Sequence, residues 1–282
     1  MTNQLGVCSW SLRPESVADL VQTVADVGLS RVQLALLPVR NDANGEWNRS
    51  EVVRALRSAG IAAPSGMLEM AGEDYSTPET IRRTGGVRSD EYWPENLKAV
   101  RECARLASFF GMKLVSFHAG FLPHDEGDPL RETMLDRLRA VADHFAEEGV
   151  RLALETGQET AETLLGVLAE LDREDVGVNF DPANMLLYGM GDPVEALDLL
   201  APHVFQVHVK DACPPSEPGQ WGTEVPVGTG AVDWDAFFAT LGQHGLDCDL
   251  MIEREAGESR LDDIRAAGAH LESLGVTAGV DR

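Results

Sequence analysis

An alternation constrains this chain more than any other feature. Eight short runs of β-type residues recur along it, with helical patterns between them. The runs are LGVCSW (5–10), RVQLAL (31–36), IAAPSGML (61–68), LVSFHAG (114–120), RLALET (151–156), VGVNFD (176–181), VFQVHVKD (204–211) and DLMIERE (249–255). The intervals hold amphipathic stretches such as PESVADLVQTVADVG, ENLKAVRECARLASFFG and PLRETMLDRLRAVADHFAEEG. Several end in glycine, as helix C-termini favour. Asp233 in AVDWDAFFATL is the expected N-cap of a late helix. Eight strand–helix repeats in 282 residues predict an α/β fold, a (β/α)8 barrel forming one domain over 1–282. A doubly wound sheet would need fewer strands and a glycine fingerprint after the first, and CSWSLRPES has none. No linker, charge block or low-complexity tract divides the chain. Two connections are long, 69–93 after the third strand and 212–232 after the seventh. Both belong at the C-terminal face, where such loops act as lids or binding loops. The end, 276–282, is expected to be a loose tail.

The strands carry a second pattern. In VFQVHVKD one face is Phe205, Val207 and Val209, and the other is Gln206, His208 and Lys210. A barrel explains this, because one face meets the helices and the other points inward. Val115 and Phe117 then face out while Ser116 and His118 point in. Leu152 and Leu154 face out with Glu155 in. Val176, Val178 and Phe180 face out with Asn179 and Asp181 in, and Leu250 and Ile252 face out with Glu253 in. Strands four to eight thus each bring an ionisable residue to the barrel mouth: His118, Glu155, Asp181, His208 and Glu253.

Three carboxylates converging at one place repel one another. Lys210 or bound protons offset part of that charge, whereas a divalent cation supplies two positive charges at once. The expected ligands are Glu155, Asp181, His208 and Glu253. Three oxygens and one imidazole suit Mn²⁺, Mg²⁺ or Co²⁺, with Zn²⁺ also possible. The remaining composition narrows the partners. Asp and Glu outnumber Lys and Arg 47 to 23, a formal net charge of −24. That argues against nucleic acid and anionic membranes. No apolar run reaches the ~18 residues of a membrane helix. MTNQLGVCSW lacks the regions of a signal peptide. The four cysteines form no CxxC pair, so reduced thiols and a cytoplasmic location are expected.

The motifs LALETGQET, NFDPANMLLYG, VHVKD, VPVGTGAVDW and MIERE, in this order and on these strands, resemble the xylose isomerase-like TIM barrel superfamily. The likeness is closest to its sugar phosphate isomerase/epimerase branch, which includes ketose 3-epimerases, and it covers about residues 5–275. It implies that Glu155, Asp181, His208 and Glu253 hold one metal and that Glu155 and Glu253 also transfer protons. The implied activity is a metal-dependent isomerase or epimerase of a sugar or related ketose, working through a metal-stabilised enediolate. A homodimer or homotetramer is implied as well. The chain departs from the epimerases at Asn184, where they often have histidine, and in 212–232, which lacks their arginine.

Substrate contacts are expected from His118, Lys210, Trp10, Asn184 and Trp221. For His118 the alternative is support of the ligands, for Lys210 charge compensation, and for the tryptophans ordinary packing. Gln158, Glu159 and Glu224 lie in mouth loops and are weaker candidates. The amides of VGTG (227–230) could cradle an anion, but few cations stand nearby, so an unphosphorylated substrate is expected. A lyase or dehydratase acting on a keto-sugar or inosose would use the same ligands. A zinc nuclease would need more histidines than this mouth offers, and Ala35, Leu36 and Asn184 stand near its ends. A non-catalytic binding barrel would be marked by a lost ligand, and all four are present.

Overall fold

Local chemistry sets the element boundaries. Ser16, Thr160 and Asp233 each accept a backbone N–H three residues ahead and start a helix there. Gly111 ends the 18-residue helix Trp93–Phe110 in the left-handed region (φ 76°), which a side chain would disfavour. The computed structural model describes residues 3–42, 44–217 and 219–276. Val276 is buried and its N–H reaches the Leu271 carbonyl at 3.0 Å. The rest of the expected tail, 277–282, lies outside the described residues.

In chain order the strands are β1 (Leu5–Cys8), β2 (Arg31–Ala35), β3 (Ala62–Met67), β4 (Leu114–Phe117), β5 (Arg151–Glu155), β6 (Val176–Phe180), β7 (Val204–Val209), β8 (Asp211–Cys213), β9 (Thr223–Val225) and β10 (Asp249–Ile252). Eight of them close a parallel barrel in the order β1-β10-β7-β6-β5-β4-β3-β2. The seam pairs Leu5 with Leu250, Gly6 with Met251 and Val7 with Ile252. This is the (β/α)8 architecture that the alternation predicts.

β8 and β9 are a separate antiparallel ribbon inside the connection after β7. The other long connection carries a short helix, Pro78–Thr84, started by a reciprocal Thr77–Thr80 cap. Both insertions therefore have structure of their own. The barrel strands are shorter than the apolar runs suggest: Ser9–Leu12 forms a 3-10 turn, and Leu36 opens the helix Leu36–Asn41.

The outward residues Val115, Phe117, Leu152, Leu154, Val176, Val178, Phe180, Val207, Val209, Leu250 and Ile252 join one apolar core. Burying each such side chain contributes roughly 1.5–3 kcal/mol. Phe205 breaks the expected pattern. The register slips between Val178 and Asn179, which pair with Val204 and Gln206, so Phe205 is the extra residue. It is half-buried with the Arg151 guanidinium 4.3 Å above its ring. Among the described residues no helix is long and apolar enough to cross a membrane.

Candidate metal centre

The inward side chains meet at the C-terminal ends of β5, β6, β7 and β10, which are neighbours in the ring. Glu155 ends β5, Asp181 follows β6, His208 lies near the end of β7, and Glu253 follows β10. One ligand atom from each lies within 4.8 Å of those from the others, and all four residues are buried. His208 Nδ1 is 3.4 Å from Glu155 Oε1, 3.3 Å from Glu253 Oε2 and 3.8 Å from Asp181 Oδ2.

Two atoms test whether this cluster fits a cation. Asp181 Oδ1 caps the helix Pro182–Tyr188 by accepting the Asn184 N–H. Asp181 Oδ2 is buried without a hydrogen-bond partner, as is His208 Nδ1. Buried polar atoms are rarely left so. Here both face the same small space as two more carboxylates. Three oxygens and one nitrogen converging on an interior point fit a hard divalent cation.

The tautomer of His208 follows from its other neighbours. Gln33 Nε2 donates to the Gly66 carbonyl at 3.3 Å and to Ser116 Oγ at 2.7 Å. A carbonyl only accepts, so this fixes which end of the amide is oxygen. Gln33 Oε1 then lies 2.6 Å from His208 Nε2 and Asn179 Nδ2 3.0 Å from it; the shorter contact, to an acceptor, favours a hydrogen on Nε2. Nδ1 faces the carboxylates; burial opposes charge on the ring, but Cys8, Glu155 and Glu253 raise it well above the ordinary histidine value, so a bound ion would displace a proton there. Gln33 is a residue the sequence reading missed. Its signal is visible afterwards as the single polar side chain within RVQLAL.

Hydrogen bonds hold the carboxylates in place. Asn184 Nδ2 donates to Glu155 Oε1 at 2.9 Å, and Asn179 Nδ2 donates to Glu155 Oε2 at 3.2 Å. Asn184 reaches this position because Gly157 (φ 134°) has no side chain: a Cβ there would stand 2.4 Å from that of Asn184. The Trp10 indole N–H donates to Glu253 Oε1 at 2.6 Å. Lys210 Nζ contacts Glu253 Oε2 at 3.1 Å, Glu255 Oε2 at 2.6 Å and Asn184 Oδ1 at 3.3 Å, engaging its three hydrogens. Below the cluster Gln206 donates to Asn179 and accepts from Ser65, which continues the polar lining into the barrel.

These contacts shape the protonation states. Burial pushes the Asp181 carboxyl well above the usual range; Lys210 opposes that, and Glu253 and Glu155 reinforce it. Burial also opposes ionisation of Glu253, but Lys210, His208 and the Trp10 indole hold it well below its ordinary value. His118 and His208 overcome burial at Glu155 and lower it too. Burial pushes the Cys8 thiol beneath the cluster up to about 12, so it stays protonated.

A cavity of about 670 Å³ opens above the cluster. It is lined by Trp10, His118, Asn184, Lys210, Trp221 and Glu253, all expected at the mouth. His118 Nε2 lies 3.6 Å from Glu155 Oε1, and Trp221 packs edge-on to Tyr188 at 4.9 Å. The cavity also takes in Glu69, Glu73, Tyr75, Tyr188, Glu255 and Arg260, which pattern reading did not single out. Glu69, Glu73 and Tyr75 sit on an insertion, where no strand period exists to reveal them. Glu255 ends MIERE, two residues past Glu253 in the same alternation, and could have been found.

The weaker mouth-loop candidates lie elsewhere. Gln158 donates to the Tyr188 hydroxyl at 3.4 Å. Glu159 is buried with no hydrogen-bond donor among the described residues, and burial raises its carboxyl to about 8. Glu224 accepts from Arg254 and from the Glu255 and Ala256 N–H groups, clasping β9 to the turn after β10. The VGTG amides do cradle an anion, but it is the protein's own. Asp211 Oδ2 accepts from Gly228 N–H at 2.9 Å and Gly230 N–H at 3.1 Å.

Comparison with known proteins agrees with this architecture. The sequence model of the xylose isomerase-like TIM barrel family matches residues 21–274. The crystal structure of a xylose isomerase domain protein from Planctomyces limnophilus superposes with a TM-score of 0.85 at 30% identity, covering 96% of each chain. A probable 3-DHS dehydratase, AsbF, from Bacillus anthracis gives 0.74 at 18% identity, covering 96% of this chain and 98% of that one. A D-allulose 3-epimerase from Methylomonas sp., in complex with D-allulose, gives 0.72 at 16% identity and 96% of each chain. At such identities the last two show a shared fold alone. The uncharacterized protein YihM of Escherichia coli (strain K12) is 29% identical over 126 residues. That match spans 43% of this chain and 38% of the length of YihM.

Proposed function

The chain belongs to the xylose isomerase-like TIM barrel family, and on that premise we propose that it is a divalent-metal-dependent isomerase or epimerase of an unphosphorylated sugar or related ketose. The observation that carries this reading is a pair of buried atoms without a hydrogen-bond partner, Asp181 Oδ2 and His208 Nδ1, facing Glu155 and Glu253. Glu155, Asp181, His208 and Glu253 would hold the cation. When bound, it supplies Lewis-acid stabilisation of negative charge on the substrate oxygens.

Glu155 and Glu253 are the proposed proton-transfer pair. β6 and β7 separate their strands in the ring, so the two carboxylates approach from different sides. Their neighbours lower both carboxyls, which suits the one that removes a C–H proton beside a carbonyl; the other must first take up a proton from solvent to act as the acid. One glutamate takes that proton from one face. The other, carrying a proton in that step, returns it to the opposite face and inverts the centre. Return to the adjacent carbon exchanges aldose and ketose. Asn184 orients Glu155 and Trp10 orients Glu253 through the bonds described above, and Lys210 is the counter-ion of Glu253. His118 and Trp221 line the space where substrate hydroxyls and ring would lie. The Asp211 carboxylate in the VGTG cradle supports the unphosphorylated substrate, because the loop amides already have their anion.

Elemental analysis after dialysis into metal-free buffer tests the centre. About one divalent ion per chain is expected, lost in Glu253→Gln and Asp181→Asn. Ketoses, with and without a phosphate ester, are then screened for proton exchange in D₂O. Absence of bound metal in the wild type, with no thermal stabilisation by added Mn²⁺, would sink the proposal. A clear preference for phosphorylated ketoses would overturn the substrate class. Products bearing a new double bond would move the reading to a lyase, which the same residues could support.

A further inference from the structure

One thiol stands inside the polar lining of the barrel. β1 sends Val7 into the apolar core and turns Cys8 the other way, where it is fully buried and forms no disulfide. Cys103, by contrast, packs within that core. One ligand atom from each of Cys8, His208 and Glu253 lies within 4.8 Å of those from the other two, and all three residues are buried. They make a second ligand set. It shares His208 and Glu253 with the four-residue cluster and has a sulfur where that cluster has Glu155 and Asp181.

Local contacts hold this arrangement together. Cys8 pairs with Gln33 across β1 and β2. Gln33 Oε1 lies 3.5 Å from Cys8 Sγ and 2.6 Å from His208 Nε2, so one amide keeps thiol and imidazole side by side. Two residues after Cys8, the Trp10 indole holds Glu253 Oε1. The end of β1 thus supplies the thiol and fixes the carboxylate next to it. Softness separates the two sets. Three carboxylates and an imidazole suit hard ions, whereas a thiolate, an imidazole and one carboxylate suit Zn²⁺ or Cd²⁺.

We propose that Cys8, His208 and Glu253 form a separate seat for a thiophilic divalent ion, filled in place of the four-ligand seat and not together with it. This rests on the metal-centre reading. His208 and Glu253 belong to both sets, so hard and soft ions compete for them. Cys8 binds as the thiolate, and its proton leaves to solvent as the ion enters. Mn²⁺ or Mg²⁺ leaves Cys8 idle. Zn²⁺ engages it and gives up Glu155 and Asp181, which makes Cys8 a determinant of metal selectivity.

X-ray absorption at the zinc edge, on protein loaded with one equivalent of Zn²⁺, tests the seat. One sulfur at about 2.3 Å is expected beside nitrogen and oxygen at about 2.0–2.2 Å. Cys8→Ser should lose the sulfur. Chelator competition on the same proteins should show the preference for Zn²⁺ over Mn²⁺ falling by about tenfold or more in Cys8→Ser. A shell of nitrogen and oxygen alone in the wild type, or a sulfur that survives Cys8→Ser, would overturn the seat. The wild-type spectrum decides by itself should the variant fail to fold. Zn²⁺ and Mn²⁺ held together, two ions per chain, would overturn the exclusion. Binding of Mn²⁺ with a sulfur-free zinc shell rejects the thiol seat and keeps the metal centre. Binding of neither ion rejects both.

Discussion

Gln33 sets an acceptor against Nε2 of His208, on the side of the ring away from the carboxylates. It acts from β2, 175 positions away, and the Gly66 carbonyl in turn fixes its amide. Groups that orient a metal-binding histidine are worth roughly 10–100-fold in metal affinity. Gln33→Leu should therefore weaken binding by about that factor in a chelator competition titration, with the circular dichroism of the fold preserved. Unchanged affinity would mean that the tautomer is set elsewhere. The convergence of Glu155, Asp181, His208 and Glu253 was legible in the sequence because each stands at the mouth end of a strand whose alternation assigns it inward. Gln33 was not, because a hydrogen bond between distant strands depends on register, and register is absent from any local pattern. The bonds that Lys210 makes with Asn184 and Glu255 were hidden for the same reason.

At the scale of elements, the insertion after β7 is organised around one carboxylate. Asp211 accepts from the Ala212, Gly228, Gly230 and Val232 N–H groups and from the Trp234 indole. Each buried donor left without a partner costs about 1–3 kcal/mol. Asp211→Ala is expected to lower unfolding free energy in urea by on the order of 3–5 kcal/mol, part being recovered by local rearrangement. A loss below about 1 kcal/mol would show that water replaces the carboxylate easily. The glycine-rich loop was readable as an anion cradle, but the identity of its anion was not. The strands of the ribbon, Asp211–Cys213 and Thr223–Val225, are three residues each, too short for alternation to announce them. The bulge at Phe205 escaped for a related reason: an apolar residue in phase with its neighbours looks like core until the register slips.

The whole molecule joins an acidic chain, net −24, to a closed barrel whose mouth gathers buried carboxyls. Glu159 couples that burial to global stability. Its carboxyl is raised from an ordinary 4.5 to about 8 by desolvation. Between those values the folded chain keeps a proton that the unfolded chain has released, so stability falls as pH rises through this window. The penalty is absent below the ordinary value and complete above the raised one. Glu159→Gln should thus stabilise the protein at pH 8.5 by on the order of a few kcal/mol and have little effect near pH 4. Thermal denaturation across that range measures it, and a pH-independent difference would assign the effect to packing instead.

The barrel's seam has a consequence of its own. β1 and β10, far apart in the sequence, meet there, and two side-chain bonds bridge the turns that follow them: the Trp10 indole to Glu253, and Ser11 Oγ accepting the Arg254 N–H at 2.9 Å. One bridging group belongs to the proposed proton-transfer pair. Ring closure and assembly of the proposed centre are then coupled. Opening the seam would pull Glu253 away from the Trp10 indole and part it from the rest of the cluster.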